Sequence, residues 1–157
     1  MVQDGALRCL LNVGKDLGPC DERDARERSL FASEPKFGVT PQDPLTVKNV
    51  KLKAAHATAR LLVSTNPHVL SEQVAMDCVQ PLVSLTMTED ELAQFEAAIA
   101  LTNLSSASDA LKRCVSQRGG VGAMQSLCAS DNLQVQKAAA GALCNLCTCD
   151  AVLRQIE

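Results

Sequence analysis

The sequence predicts an all-α solenoid, and three observations predict it. Ala100-Leu-Thr-Asn-Leu104 returns 42 residues later as Ala142-Leu-Cys-Asn-Leu146. The segment ahead of each copy recurs at the same interval, with Leu82-x-x-Leu85 matching Met124-x-x-Leu127. Apolar residues fall throughout at helical spacing. A helical unit of this length is the mark of an armadillo or HEAT-like repeat, which stacks into a right-handed superhelical solenoid. About three repeats fit the chain, the terminal ones incomplete. Such solenoids are binding surfaces more often than enzymes.

Residues 2–13 read as the first helix, with Ala6, Leu7, Leu10 and Leu11 at helical spacing. Residues 46–65 form a longer one, whose apolar side is Val47, Val50, Leu52, Ala55, Ala59, Leu62 and Val63. Asn66-Pro67 ends it, because the residue before proline avoids helical backbone angles. Ser71 caps a helix over 72–86, which Pro81 either breaks or kinks. Thr88 and Glu91 form a capping box for the next helix, which runs to about Ser105. Ser108 caps 108–117, Gly119-Gly120 permits a sharp turn, and 121–129 follows. Asp131 or Asn132 caps 133–148, and Asp150 opens a last helix that stops at Gln155-Ile-Glu157 without a cap. The chain therefore reads as a piece of a longer solenoid.

The Leu-x-x-Leu pattern also occurs at Leu7 and Leu10, 75 residues before Leu82 and Leu85. That is 33 more than one period. The excess falls on residues 15–47, which hold Pro19, Pro35, Pro41 and Pro44 and the mixed charge run from Asp21 to Arg28. This stretch reads as a solvated insertion, loop or disordered, within a single 1–157 solenoid fragment.

Composition narrows the function. The chain has no Trp, no Tyr and three Phe, so Leu, Val, Ile and Ala must build the core. A net charge of −3 gives no basic footprint for nucleic acid. No apolar run approaches the roughly 18 residues of a membrane span. The eight cysteines mostly occupy helical positions where an apolar residue belongs, such as Cys78 and Cys128, and read as reduced thiols in a cytoplasmic protein. Cys144-x-x-Cys147-x-Cys149 lacks the second ligand pair a zinc site needs, since His56 and His68 belong to no paired motif. Cys144 and Cys147 read instead as core residues. Gly119-Gly-Val-Gly122 joins two helices and lacks the Lys-Ser/Thr of a phosphate loop. No catalytic constellation, metal site or cofactor site emerges.

Two polar positions stand out. Asn103 and Asn145 occupy matching places in otherwise apolar helix stretches. An amide there either binds the backbone of an extended peptide or ties neighbouring helices together. Phe95 lies eight residues before Asn103, just over two turns, so the two share adjoining parts of one face. It is either a peptide anchor or a core residue.

Four blocks resemble the UCS family of myosin chaperones: Leu61-Leu-Val-Ser-Thr-Asn-Pro67, Val79-Gln-Pro-Leu-Val-Ser-Leu85, Gln94-Phe-Glu-Ala-Ala-Ile-Ala-Leu-Thr-Asn-Leu104 and Ala138-Ala-Ala-Gly-Ala-Leu-Cys-Asn-Leu146. They stand in the family's order and cover roughly 46–157. The resemblance implies a non-catalytic co-chaperone module whose groove holds part of the myosin heavy chain motor domain. It places the family's signature aromatic on Phe95 and its signature amide on Asn103, and extends the groove to Thr102 and Asn145. Animal-type members also carry an Hsp90-binding region that this chain does not resemble. A general armadillo scaffold or adaptor is the alternative. An importin-like version would need Trp, and this chain has none.

Overall fold

The computed structural model describes residues 2–16 and 44–156, and every regular element among them is helical. The elements are α1 (Val2–Asp16), α2 (Pro44–Ser64), a 3-10 turn (Pro67–Val69), α3 (Glu72–Thr86), α4 (Glu91–Ala107), α5 (Asp109–Gln117), α6 (Gly120–Leu127), α7 (Leu133–Cys147) and α8 (Asp150–Ile156). The predicted fold class holds. Helices α1 and α2 run to Asp16 and from Pro44, into both ends of the 15–47 stretch. Pro44 is the first residue of α2, where its missing N–H costs nothing. The Asp21–Arg28 charge run and Pro19, Pro35 and Pro41 lie outside the described residues.

The long helices α2, α4 and α7 pack side by side as one row, and α1, α3 and α6 back them. The core between the rows is aliphatic: Leu62, Val79, Leu82, Leu85, Leu104, Met124, Val135 and Leu146 are all buried. Both recurring pairs point into it. Leu82, Leu85, Met124 and Leu127 are at most 5% exposed. Ala97 and Ala98 are fully buried, which lets α4 approach its neighbours closely.

Local chemistry differs from the sequence reading at several points. Asp90, not Thr88, caps α4: its carboxylate accepts from the N–H groups of Leu92 (3.0 Å) and Ala93 (3.3 Å). An ionised side chain at this position binds the positive helix end more strongly than a hydroxyl. Thr88 instead donates to the Leu85 carbonyl, which closes α3. Glu91 turns toward the next repeat. Ser71 occupies the cap position of α3, but its hydroxyl makes no cap bond; its N–H donates to the Asp4 carboxylate of α1 at 3.2 Å. Pro81 does not break α3. Burial of Val79, Leu82, Val83 and Leu85 around it outweighs the cost of an interior proline, about 3 kcal/mol for the lost hydrogen bond and the ring clash together.

Asn132 rather than Asp131 caps α7. Gly119 has φ of 81°, the left-handed region, and a Cβ on Gly120 would lie 2.8 Å from the Val115 carbonyl oxygen. The turn between α5 and α6 therefore depends on both glycines.

Two apolar assignments change. Leu52 and Val63 of α2 are 40% and 37% exposed, on the open side of the row. Cys128 and Cys144 are exposed and Cys147 is half-buried, so the core reading of these thiols fails. Cys144 takes the place that Thr102 holds in α4, on the outward helix face, and Cys128 follows the last turn of α6.

Candidate functional site

The open face of the row is where the four predicted residues gather. On α4 the side chains at 92, 95, 96, 99, 102, 103 and 106 follow one helical stripe, and all are exposed or half-buried. Phe95 is half-buried and packs against the core from this side. It is thus both a core residue and a surface one. Leu92 beside it is 51% exposed.

Thr102 is half-buried and donates its hydroxyl to the Ala98 carbonyl at 2.8 Å. Its own carbonyl accepts the Asn145 side-chain amide at 3.0 Å and the Ser105 hydroxyl at 2.9 Å. Asn103 donates its amide to the carbonyls of Leu62 and Val63, both at 3.0 Å. Those carbonyls lie in the last turn of α2, where no further helical N–H reaches them. The two amides therefore tie neighbouring helices together, the second of the two roles open from sequence. Among the described residues the Asn103 side-chain oxygen has no protein donor, so its acceptor side faces the open surface.

Two further ties escaped the sequence reading. Glu96 accepts from Arg60 at 3.1 and 3.2 Å, and His56 Nε2 stands 2.7 Å from its second oxygen. His56 is thus a rim residue on the α2–α4 seam. Farther along, Glu91 accepts the Asn132 amide at 2.6 Å across the α4–α7 seam. Gln94 and Gln136, 42 residues apart, each reach back 2.6 Å to a loop carbonyl, of Thr88 and Ser130. The Gln–Gln repetition at that interval was visible in the sequence and would have marked both latches.

No other described feature matches this face as a site. Three or more His, Cys, Asp or Glu side chains do not converge on any metal position among the described residues. Burial, with smaller contributions from Asp77 and Asp4, pushes the Cys78 thiol up to about 12, so it stays protonated in the core. A cleft of about 400 Å³ opens between the α3–α4 and α6–α7 loops, lined by Met87, Thr88, Glu91, Gln94 and Ser130. It contains none of Phe95, Thr102, Asn103 or Asn145, and two of its polar side chains are engaged, Gln94 by the Thr88 carbonyl and Glu91 by Asn132. No helix among the described residues is long and apolar enough to cross a membrane.

Helix triplets stacked at an interval near 42, long helix on long helix, define an armadillo-repeat protein. The chain belongs to the armadillo/beta-catenin-like repeat family: residues 66–106 and 108–148 match it, more than half of the chain. Within that class its relatives include proteins named unc-45 homolog B. It is 32% identical over 136 residues to protein unc-45 homolog B of Xenopus laevis, covering 83% of this chain and 14% of the relative. The match to the Danio rerio homologue is 33% over 135 residues, covering 82% and 14%. The chain thus spans about one seventh of the length of the curated relatives it matches.

Among solved structures, one described as showing molecular features of the UNC-45 chaperone critical for binding and folding muscle myosin superposes with a TM-score of 0.63. It is 26% identical and covers 68% of this chain and 12% of that one. An engineered protein superposes with a TM-score of 0.55 at 26% identity, covering 98% and 36%. The UCS resemblance read from the four blocks therefore stands, as does the armadillo fold it implied.

Proposed function

We propose that this chain is a non-catalytic co-chaperone module that binds the myosin heavy chain motor domain through the open face of α2, α4 and α7. One observation carries the reading: the stripe bearing the family's signature residues is the stripe that faces outward, with Leu92, Phe95 and Ile99 beside Asn103. Relatives named unc-45 homolog B support it, and the solved relative is described as a UNC-45 chaperone with features critical for binding and folding muscle myosin. An extended or partly folded client segment would lay an apolar side chain against Leu92, Phe95 and Ile99. The Asn103 oxygen would accept a client backbone N–H, while its amide keeps the groove in shape. Thr102 and Asn145 would line the next stretch of the same groove. The module acts in the cytoplasm on this reading, and any Hsp90 contact belongs to other parts of the relatives.

The coarser alternative is an armadillo scaffold for some other client. Capture of a purified motor domain by the full chain separates the two. Wild type retains the motor domain, and Phe95→Ala loses most of that retention with an unchanged helical spectrum. Equal retention by Phe95→Ala removes the groove assignment, and no retention by wild type removes the myosin reading.

A further inference from the structure

Charge along the open face changes from helix to helix. α2 carries Lys48, Lys51, Lys53 and Arg60 and no acidic residue. α4 carries Glu91 and Glu96 and no Lys or Arg. Both of those carboxylates are already occupied inside the solenoid, Glu96 by Arg60 and His56 and Glu91 by Asn132. α7 adds one exposed cation, Lys137, at the place Phe95 holds in α4.

Spacings of three and four residues put Lys53, His56 and Arg60 on one stripe of α2, and Lys53 and Arg60 are exposed. The same side carries an apolar strip, crossed by the Glu96 tie to His56 and Arg60: Leu52 at 40%, Val63 at 37% and Leu92 at 51% exposed, with half-buried Phe95 and Ile99. The face is therefore an apolar strip bordered by cations, in a chain whose overall charge is −3.

We infer that the occupant of this face is an extended peptide segment whose apolar side chain covers the strip and whose flanking residues are acidic. The inference rests on the groove reading above and specifies the client's chemistry. A peptide lying on the strip displaces water from around Lys53, whereas Arg60 already has the Glu96 carboxylate as its partner. A cation that loses water without gaining a partner is destabilised, so a carboxylate beside the apolar residue restores what is lost. A lysine there would meet like charge. A polyanion without apolar groups would leave Leu52, Val63 and Leu92 uncovered, which makes nucleic acid a poorer fit.

Fluorescence anisotropy with the full chain tests this, using three labelled ten-residue peptides. They share a central Leu-Phe-Leu and differ only in flanks of Glu, Gln or Lys; a random single-stranded DNA of ten nucleotides is the fourth probe. The Glu peptide binds about tenfold more tightly than the Lys peptide, with Gln between them. Lys53→Glu, an exposed position, removes most of that preference without shifting the thermal melt. Leu92→Ser weakens all three peptides alike.

Equal affinity of the three, a preference for Lys, no binding by any of them, or DNA binding as tightly as the Glu peptide overturns the inference. Motor-domain capture in the same preparation keeps the two readings apart. Capture without a charge preference overturns only the client chemistry. A charge preference without capture overturns only the myosin assignment.

Discussion

The α2–α4 seam and the α4–α7 seam follow one plan and are laced differently. Each is closed near the C-terminal end by an asparagine amide from the later repeat, Asn103 in one and Asn145 in the other. The first amide serves two carbonyls in the last turn of α2, which otherwise lack helical partners. The second adds to a carbonyl that already accepts the Ser105 hydroxyl. The remaining tie of the first seam lies mid-helix, where Glu96 pairs with Arg60 and His56 Nε2 stands against the same carboxylate. That of the second seam is between Glu91 and Asn132, at the helix starts. The backbone interval is shared, while the polar contacts are rewritten locally. Stacking thus depends on the aliphatic core, and the ties set register.

The most disruptive way to challenge that statement is to remove core from equivalent positions. Leu101 is 1% exposed, whereas its counterpart Leu143 is half-buried. Leu101→Ala costs about 2–5 kcal/mol in urea unfolding followed by circular dichroism. Leu143→Ala costs about half as much or less. Equal losses would mean the two seams are equally packed.

The asparagines come next. Asn103→Ala lowers stability by about 1–2 kcal/mol and Asn145→Ala by about 0.5–1 kcal/mol, because only the first leaves helix-end carbonyls to water. A reversed order would refute the difference drawn between them. The helix caps give a closer pair. Asp90→Ala costs about 1 kcal/mol, and Asn132→Ala a few tenths more, since Asn132 also holds Glu91. The double variant Asn132→Ala with Glu91→Ala measures that coupling directly. The smallest effect belongs to Glu96→Gln, below about 1 kcal/mol and shrinking as salt rises, because Arg60 is largely exposed. Salt-independent loss would show that the neutral hydrogen bonds, not the charges, hold the seam.

Much of this plan was legible in the sequence. The repeated Ala-Leu-x-Asn-Leu gave the period, and the period located Leu82, Leu85, Met124 and Leu127 as core. The Gly119-Gly120 turn, the Asn66-Pro67 stop and the Ser108 cap followed from local chemistry, and Ser108 indeed accepts from Leu111 N–H at 3.2 Å. What escaped was set by neighbours distant in sequence. Thr88 and Glu91 match a capping box, but Asp90 lies nearer the helix start and Glu91 is drawn to Asn132. Leu52, Val63 and Cys144 look like core because apolar spacing alone does not say which side of a helix a second row will cover. Asn103 and Asn145 stand out in the sequence as polar side chains in apolar helix stretches. Choosing between a client and a neighbouring helix required the positions of Leu62, Val63 and Thr102.

The asparagine lacing also bears on the order in which the chain can be completed. The last turn of α2 is finished by a side chain that appears 41 residues after Leu62. During synthesis at roughly 5–20 residues per second, that turn waits about 2–8 s for Asn103 to emerge. Over that interval the newest repeat has an open end that only its successor can close. The nascent solenoid thus grows like a zip whose most recent tooth is always loose, and this growing tip is where a folding helper of its own would have something to hold.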